Sequence, residues 1–221
     1  MTRSSASGAL IVFDFDGTLV DSNRIKREAY DAALSGYPGA SAAIRKALRT
    51  HPAGDRHTVL AAAVADLVPA GAARGAATVR AVRAYGRYCL TQVGRAPEFK
   101  GVSSTLRRLA RRHHLAVASA TPQRAVRVLV GRRDWPFEAA TVLGAPRSKA
   151  HNLTRLARRF DVPIRRVVLV GDSHVDRDAA LEVGCHFIPV ALDGARPIRG
   201  ALRRFADVPA SITHCLSHAR S

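Results

Sequence analysis

Phe13-Asp14-Phe15-Asp16-Gly17-Thr18-Leu19-Val20-Asp21-Ser22 closes the apolar run Ala9–Phe13. A short, wholly apolar run ended by an acid and a glycine turn reads as a strand buried on both faces, the kind that parallel sheets use. Two carboxylates two residues apart then stand at its carboxyl end, where open α/β sheets bind ligands. Taken alone, the pair also fits a turn with a helix cap.

Four more short apolar runs follow, at Leu115–Ala118, Ala140–Leu143, Val167–Val170 and Phe187–Val190. Helical periodicity alternates with them. Val102, Leu106, Leu109 and Ala110 make one apolar face with Arg107, Arg108, Arg111 and Arg112 opposite, and Leu153, Leu156, Ala157 and Phe160 make another. The alternation predicts an α/β fold, a parallel sheet with helices on both faces and right-handed crossovers. The first strand breaks the rhythm, because the interval before Leu115 reads as helix. Candidate helices run over Arg24–Leu34, Ala40–Arg49, Asp55–Leu67 and Ala73–Val93, punctuated by Tyr37-Pro38-Gly39, His51-Pro52-Ala53-Gly54 and Pro69-Ala70-Gly71. An all-helical insertion over residues 21–98 is expected, inside a core made of 1–20 and 99–221.

At 221 residues with 47% hydrophobic and 24% charged side chains, the chain can bury a core and is not a disordered basic tail. Lys and Arg number 35 against 17 Asp and Glu, a formal charge of +18. Only Lys26, Lys46, Lys100 and Lys149 are lysine; the rest are Arg, scattered along the chain and accompanied by abundant Ala. Such charge attracts polyanions non-specifically. With 5% aromatics and no helix-turn-helix, zinc-finger or RNP-like motif, the basic rows read as solvated helix faces, and no specific nucleic-acid partner is expected. Cys89, Cys185 and Cys215 form no CxxC pair, which argues against a disulfide framework or zinc site. The polar start of the chain is no signal peptide, and Val59–Ala73, broken by Asp66 and Pro69, falls short of a membrane span. A cytoplasmic location without a membrane partner is the expectation.

Three other strand ends carry polar groups. Ser119 ends the second strand, where a lone Ser is also an ordinary helix cap. Lys149 opens a helix after the third and is one of four lysines, so a compact ammonium has been kept in an arginine-rich chain. The fourth runs into Gly171-Asp172-Ser173-His174-Val175-Asp176, two more carboxylates, with a helix cap again the plain alternative.

In this order and spacing, Asp14, Asp16, Ser119, Lys149, Asp172 and Asp176 resemble the motif set of the haloacid dehalogenase superfamily. The chain is similar to its phosphoglycolate-phosphatase-like branch with a helical cap. Asp21–Lys26, Ser119-Ala120-Thr121-Pro122-Gln123 and Leu143–Lys149 further resemble a narrower subgroup found in polysaccharide or natural-product pathways. The resemblance implies a Rossmann-like three-layer core with an inserted helical cap, and a Mg²⁺-dependent phosphatase acting on a small phosphorylated metabolite through an aspartyl phosphate. It implies that Asp14 is the nucleophile and a metal ligand, and that the Asp16 carbonyl and the Asp172 carboxylate complete the metal's protein ligands. Asp176 would support the coordinated waters. Asp16 would also act as general acid and base, and Gly17, Thr18, Ser119, Ala120 and Lys149 would cradle the phosphate.

An acid at position 16 disfavours dehalogenase and phosphonate-cleaving chemistries of the superfamily. A sugar phosphomutase, the alternative on the same fold, characteristically places a histidine about where Lys26 stands. A non-enzymatic regulator or nucleic-acid-binding protein is the alternative of another class. Substrate choice would sit in the cap, with Lys26 and Arg56 as the candidates. Hinges are expected near Val20–Asn23 and Gly94–Gly101, and the protein is expected to be a monomer or a homodimer.

Overall fold

Leu10–Phe13 is strand β1 of the computed structural model, which describes residues 8–52, 54–194 and 198–218. Residues 1–7, where no signal peptide is expected, and Ala53 of the 51–54 turn lie outside the described residues. Every side chain of β1 is buried, so the strand has no solvent face. It is the centre of a five-stranded parallel sheet with β2 (His114–Pro122), β3 (Val142–Ala145), β4 (Val167–Gly171) and β5 (His186–Pro189), in the order β3-β2-β1-β4-β5. The third strand starts later than its apolar run, because Ala139–Thr141 winds into a single 3₁₀ turn.

The chain divides into two compact units at Asp21/Ser22 and Ala96/Pro97. In the α/β unit, alternate residues of β1 serve two cores. Leu10 and Val12 join Ala116, Ala118, Leu143 and Leu169 beneath Leu153, Leu156 and Ala157 of α7 (Lys149–Arg159) and Ala179 and Ala180 of α8 (His174–Val183). Phe13 instead meets Phe205, ring centroids 5.8 Å apart, just ahead of α9 (Val208–His218), which packs with α5 (Val102–Ala110). On α5 the buried stripe is Val102, Thr105, Leu106 and Leu109; Ala110, expected on that stripe, is exposed. Thr105 takes its place because positions 102, 105, 106 and 109 follow the helical period more closely than 110 does. Helix α6 (Gln123–Gly131) packs on β2 and β3. The arginines at 107, 108, 111 and 112 are exposed.

The helical unit has its own core. Helices α1 (Asn23–Ala33) and α4 (Ala72–Arg95) pack together, as do α2 (Ala40–Thr50) and α3 (Arg56–Leu67). Small residues line the contacts, among them Ala29, Ala43, Ala47, Ala63, Ala77 and Ala81, all buried, and the Tyr30 and Tyr85 rings lie 4.8 Å apart. Asp55 caps α3 by accepting the Thr58 N–H at 2.9 Å.

The two segments at which the chain leaves and re-enters the α/β unit pair with one another. Phe99 N donates to Leu19 O, and Asp21 N donates to Pro97 O, each at 3.1 Å. Glu98 anchors the returning segment: its carboxylate accepts from the Ser103 hydroxyl at 2.7 Å and the Trp135 indole at 2.8 Å. Among the described residues, no helix is long and apolar enough to cross a membrane.

Candidate active site

Because all five strands are parallel, their carboxyl ends share one edge. Phe13 pairs with Val117 of β2 and Val170 of β4, and Asp14 N donates to Val170 O at 2.9 Å, extending the ladder one residue past β1. Asp14 thus emerges between β2 and β4, where the chain order reverses across the sheet, the point at which open α/β sheets bind ligands. Beyond it the backbone makes one helical turn, with Leu19 N and Val20 N donating to Phe15 O at 3.0 and 3.2 Å. The Gly17 N–H is used inside that turn, donating to Val20 O at 2.9 Å. Thr18 is fully buried, and its hydroxyl has no hydrogen-bond partner among the described residues.

Lys149, the first residue of α7, is 9% exposed and stands between two acids. Its ammonium lies 2.9 Å from Asp14 Oδ1 and also donates to Asp176 Oδ1. The other oxygen of Asp176 accepts from the backbone N–H and the hydroxyl of Ser173, at 3.0 and 2.5 Å, in the capping box that starts α8. Asp176 is therefore both helix cap and partner of Lys149, and both its oxygens are engaged. Gly171 makes room for it: a Cβ there would sit 2.6 Å from Asp176 Cβ. Gly171→Ala should push Asp176 off Lys149 and destabilise the protein by about 1–3 kcal/mol, the usual range for overpacking. Thermal unfolding measures this, and an unchanged melting temperature would show that the acid has room elsewhere.

Carboxylate oxygens of Asp14, Asp172 and Asp176 lie within 4.8 Å of one another, and Asp16 is buried nearby in sequence. Burial pushes the Asp14 carboxyl up to about 7; Lys149 opposes the shift, while Asp176, Asp172 and Asp16 add to it. Burial would lower the Lys149 ammonium, but Asp14 and Asp176 beside it hold it above its ordinary value. Lys149 meets two of these acids, Asp14 and Asp176, and Asp172 stands beside them. The donors are hard oxygens without His or Cys, which fits Mg²⁺, an ion that takes one or two carboxylates and keeps much of its water.

Ser119 lies in β2, 3% exposed, its hydroxyl accepting the Thr121 N–H at 3.1 Å. Ala120, beside it, is exposed. Thr121, absent from the expected set, donates its hydroxyl to Asp16 Oδ2 at 2.8 Å. The edge thus brings Asp14, Lys149, Asp172 and Asp176 into one cluster and links Asp16 to the Ser119 segment. Lys26, half-buried in α1, and Arg56, half-buried at the start of α3, belong to the helical unit.

A family model for haloacid dehalogenase-like hydrolases matches residues 9–184, from the start of β1 to the end of α8. The chain belongs to the haloacid dehalogenase-like hydrolases. Solved structures similar to this hydrolase include a haloacid dehalogenase-like family hydrolase from Xanthomonas campestris, 17% identical, covering 97% of this chain and 94% of that one, with a TM-score of 0.66. A predicted phosphoglycolate phosphatase from Haemophilus somnus is 22% identical over 92% of this chain and 97% of its own, with a TM-score of 0.69. CbbY from Rhodobacter sphaeroides, solved with xylulose-(1,5)-bisphosphate, is 20% identical over 90% of this chain and 93% of its own, with a TM-score of 0.65. At such identities the likeness establishes the shared fold. Comparison with curated proteins finds no match.

Proposed function

We propose that this hydrolase is a Mg²⁺-dependent phosphatase that cleaves a small phosphorylated metabolite through an aspartyl phosphate on Asp14. The observation that carries the reading is the buried Asp14–Lys149–Asp176 chain with Asp172 beside it, an acidic cluster built around the Lys149 ammonium. Family membership supports hydrolysis. The Haemophilus somnus and Rhodobacter sphaeroides neighbours, one described as a predicted phosphoglycolate phosphatase and the other holding a sugar bisphosphate, agree with a phosphomonoester substrate.

Asp14 Oδ, the Asp16 carbonyl and Asp172 would hold Mg²⁺, with Asp176 fixing Lys149 and orienting the site. A cation held there would supply positive charge that favours ionised Asp14 and lets that carboxylate meet a phosphate dianion. An Asp14 oxygen attacks phosphorus and the bond to the ester oxygen breaks. Asp16 gives its proton to that departing alkoxide. Asp16, now a carboxylate, takes a proton from water as the water oxygen attacks phosphorus, the Asp14–phosphorus bond breaks, and free phosphate leaves. Ser119 donates its hydroxyl to a phosphoryl oxygen. Thr18 and the Ala120 N–H would complete that cradle, and Lys149 offsets charge on nucleophile and phosphate. Gly17 shapes the turn and contributes no free amide. Residues 1–20 and 99–221 would form the catalytic core and 21–98 the cap that chooses the substrate, with Lys26 and Arg56 as contacts.

Release of p-nitrophenol from p-nitrophenyl phosphate, with Mg²⁺ and with a chelator, tests the reading. Turnover should require the metal and return when Mg²⁺ exceeds the chelator. A folded preparation that releases no p-nitrophenol at any Mg²⁺ concentration would contradict it.

A further inference from the structure

The stretch Ser119-Ala120-Thr121-Pro122-Gln123 does more than supply Ser119. Strand β2 pairs regularly with β3 through Val117–Val142 and Ala118–Leu143, and then pairs again only at Pro122–Ala145. Four residues of β2 thus advance against two of β3, a bulge spanning Ser119–Thr121. Pro122 brings no N–H to a ladder. The side chain of Gln123 fills the gap: its amide nitrogen donates to Val142 O at 2.6 Å, and its amide oxygen accepts Gly144 N at 2.9 Å. One side chain thus does for β3 what a neighbouring strand's backbone would do. Gly144 is required for this close approach, because a Cβ there would collide with the Thr121 carbonyl and the Gln123 amide. The bulge so fixed delivers the hydroxyl of Thr121, a residue 9% exposed, to Asp16 Oδ2.

We infer that Thr121 is a positioning residue for Asp16, aimed by the bulge that Gln123 and Gly144 lock in place. The inference rests on the phosphatase reading for the chemistry of Asp16. A hydroxyl donating to Oδ2 at 2.8 Å ties that oxygen to the bulge of β2. It also fixes the rotation of the carboxyl plane. The acid then meets the departing oxygen without first having to search for its orientation.

The test compares kcat/KM, which reports attack on Asp14 and departure of the leaving group, for two substrates. Departure of 2,4-dinitrophenolate needs no proton, whereas departure of an alkoxide from an alkyl phosphate does. Thr121→Val should lower kcat/KM for an alkyl phosphate by about tenfold or more and leave 2,4-dinitrophenyl phosphate within about twofold. Thr121→Ser, which keeps the hydroxyl, should restore the alkyl phosphate. An equal fall on both substrates, or no fall on either, overturns the inference. A crystal structure of Thr121→Val reads the same contact without turnover: the Asp16 carboxylate should leave its position beside β2, and an unmoved carboxylate overturns the inference too. Failure of the wild-type protein to cleave either ester would instead count against the phosphatase reading and leave that crystallographic outcome to decide.

Discussion

Asp14→Asn should abolish turnover, lowering kcat by roughly a thousandfold or more, about 4 kcal/mol of barrier, while the protein stays folded. The amide has nearly the shape of the carboxylate but is a poor nucleophile and carries no charge to bind a cation. The same substitution should stabilise the protein in chelator at neutral pH. Folded Asp14 titrates near 7, above the value near 3.9 of an unfolded chain. The fold therefore favours the neutral acid, and stability is lost as pH rises from about 4 through 7. Asn has no such loss. Unfolding in chelator at pH 5 and pH 8 should show the wild-type protein falling in melting temperature relative to Asp14→Asn. Mg²⁺ should recover the wild-type protein and do much less for the variant. Parallel pH profiles for the two proteins would mean that Asp14 is not the strained acid of the cluster.

Lys149→Met should reduce kcat by about a hundredfold or more and cost on the order of 3–5 kcal/mol of stability. Methionine nearly fills the volume, so the change isolates the charge. Asp14 and Asp176 would then face each other, buried, without the ammonium that lies 2.9 Å from Asp14 Oδ1. Because the damage is repulsion between ionised acids, the loss of stability should be greater at pH 8 than at pH 5. Lys149→Arg should not rescue, since a planar fork cannot replace a point charge wedged between two carboxylates. Near-normal kcat in Lys149→Met would remove Lys149 from the catalytic set.

Several of these features could be read from the sequence because burial leaves a plain mark there. Strands β1 and β4 are covered on both faces and read as unbroken apolar runs. The lysine kept at 149 in a chain of arginines is the one that closes the buried acid pair. At Asp176 the two readings, helix cap and member of an acidic cluster, are both realised in one side chain. The sequence assigns Thr121 no role, because its partner is 105 residues away and the bulge that aims it is a property of the pairing between β2 and β3. Two local signals pointed to it: a hydroxyl two residues beyond Ser119, and a proline inside a strand, which excludes a regular ladder. Lys26 and Arg56 could be singled out only by their place near turns, since neither stands at a strand end in the sequence, where the polar groups that mark the site are found. The formal charge of +18 describes the outer faces of helices such as α5, while the edge of the sheet carries the opposite sign.

The central claim is that phosphate passes through Asp14. Quenching the protein with acid during turnover of a phosphomonoester in Mg²⁺, followed by peptic digestion and mass spectrometry, tests it most directly. A phosphoryl group on Asp14, absent in Asp14→Asn and lost when substrate runs out, is the predicted result. Steady phosphate release with Asp14 unmodified, or with the phosphoryl group on another residue, would contradict it.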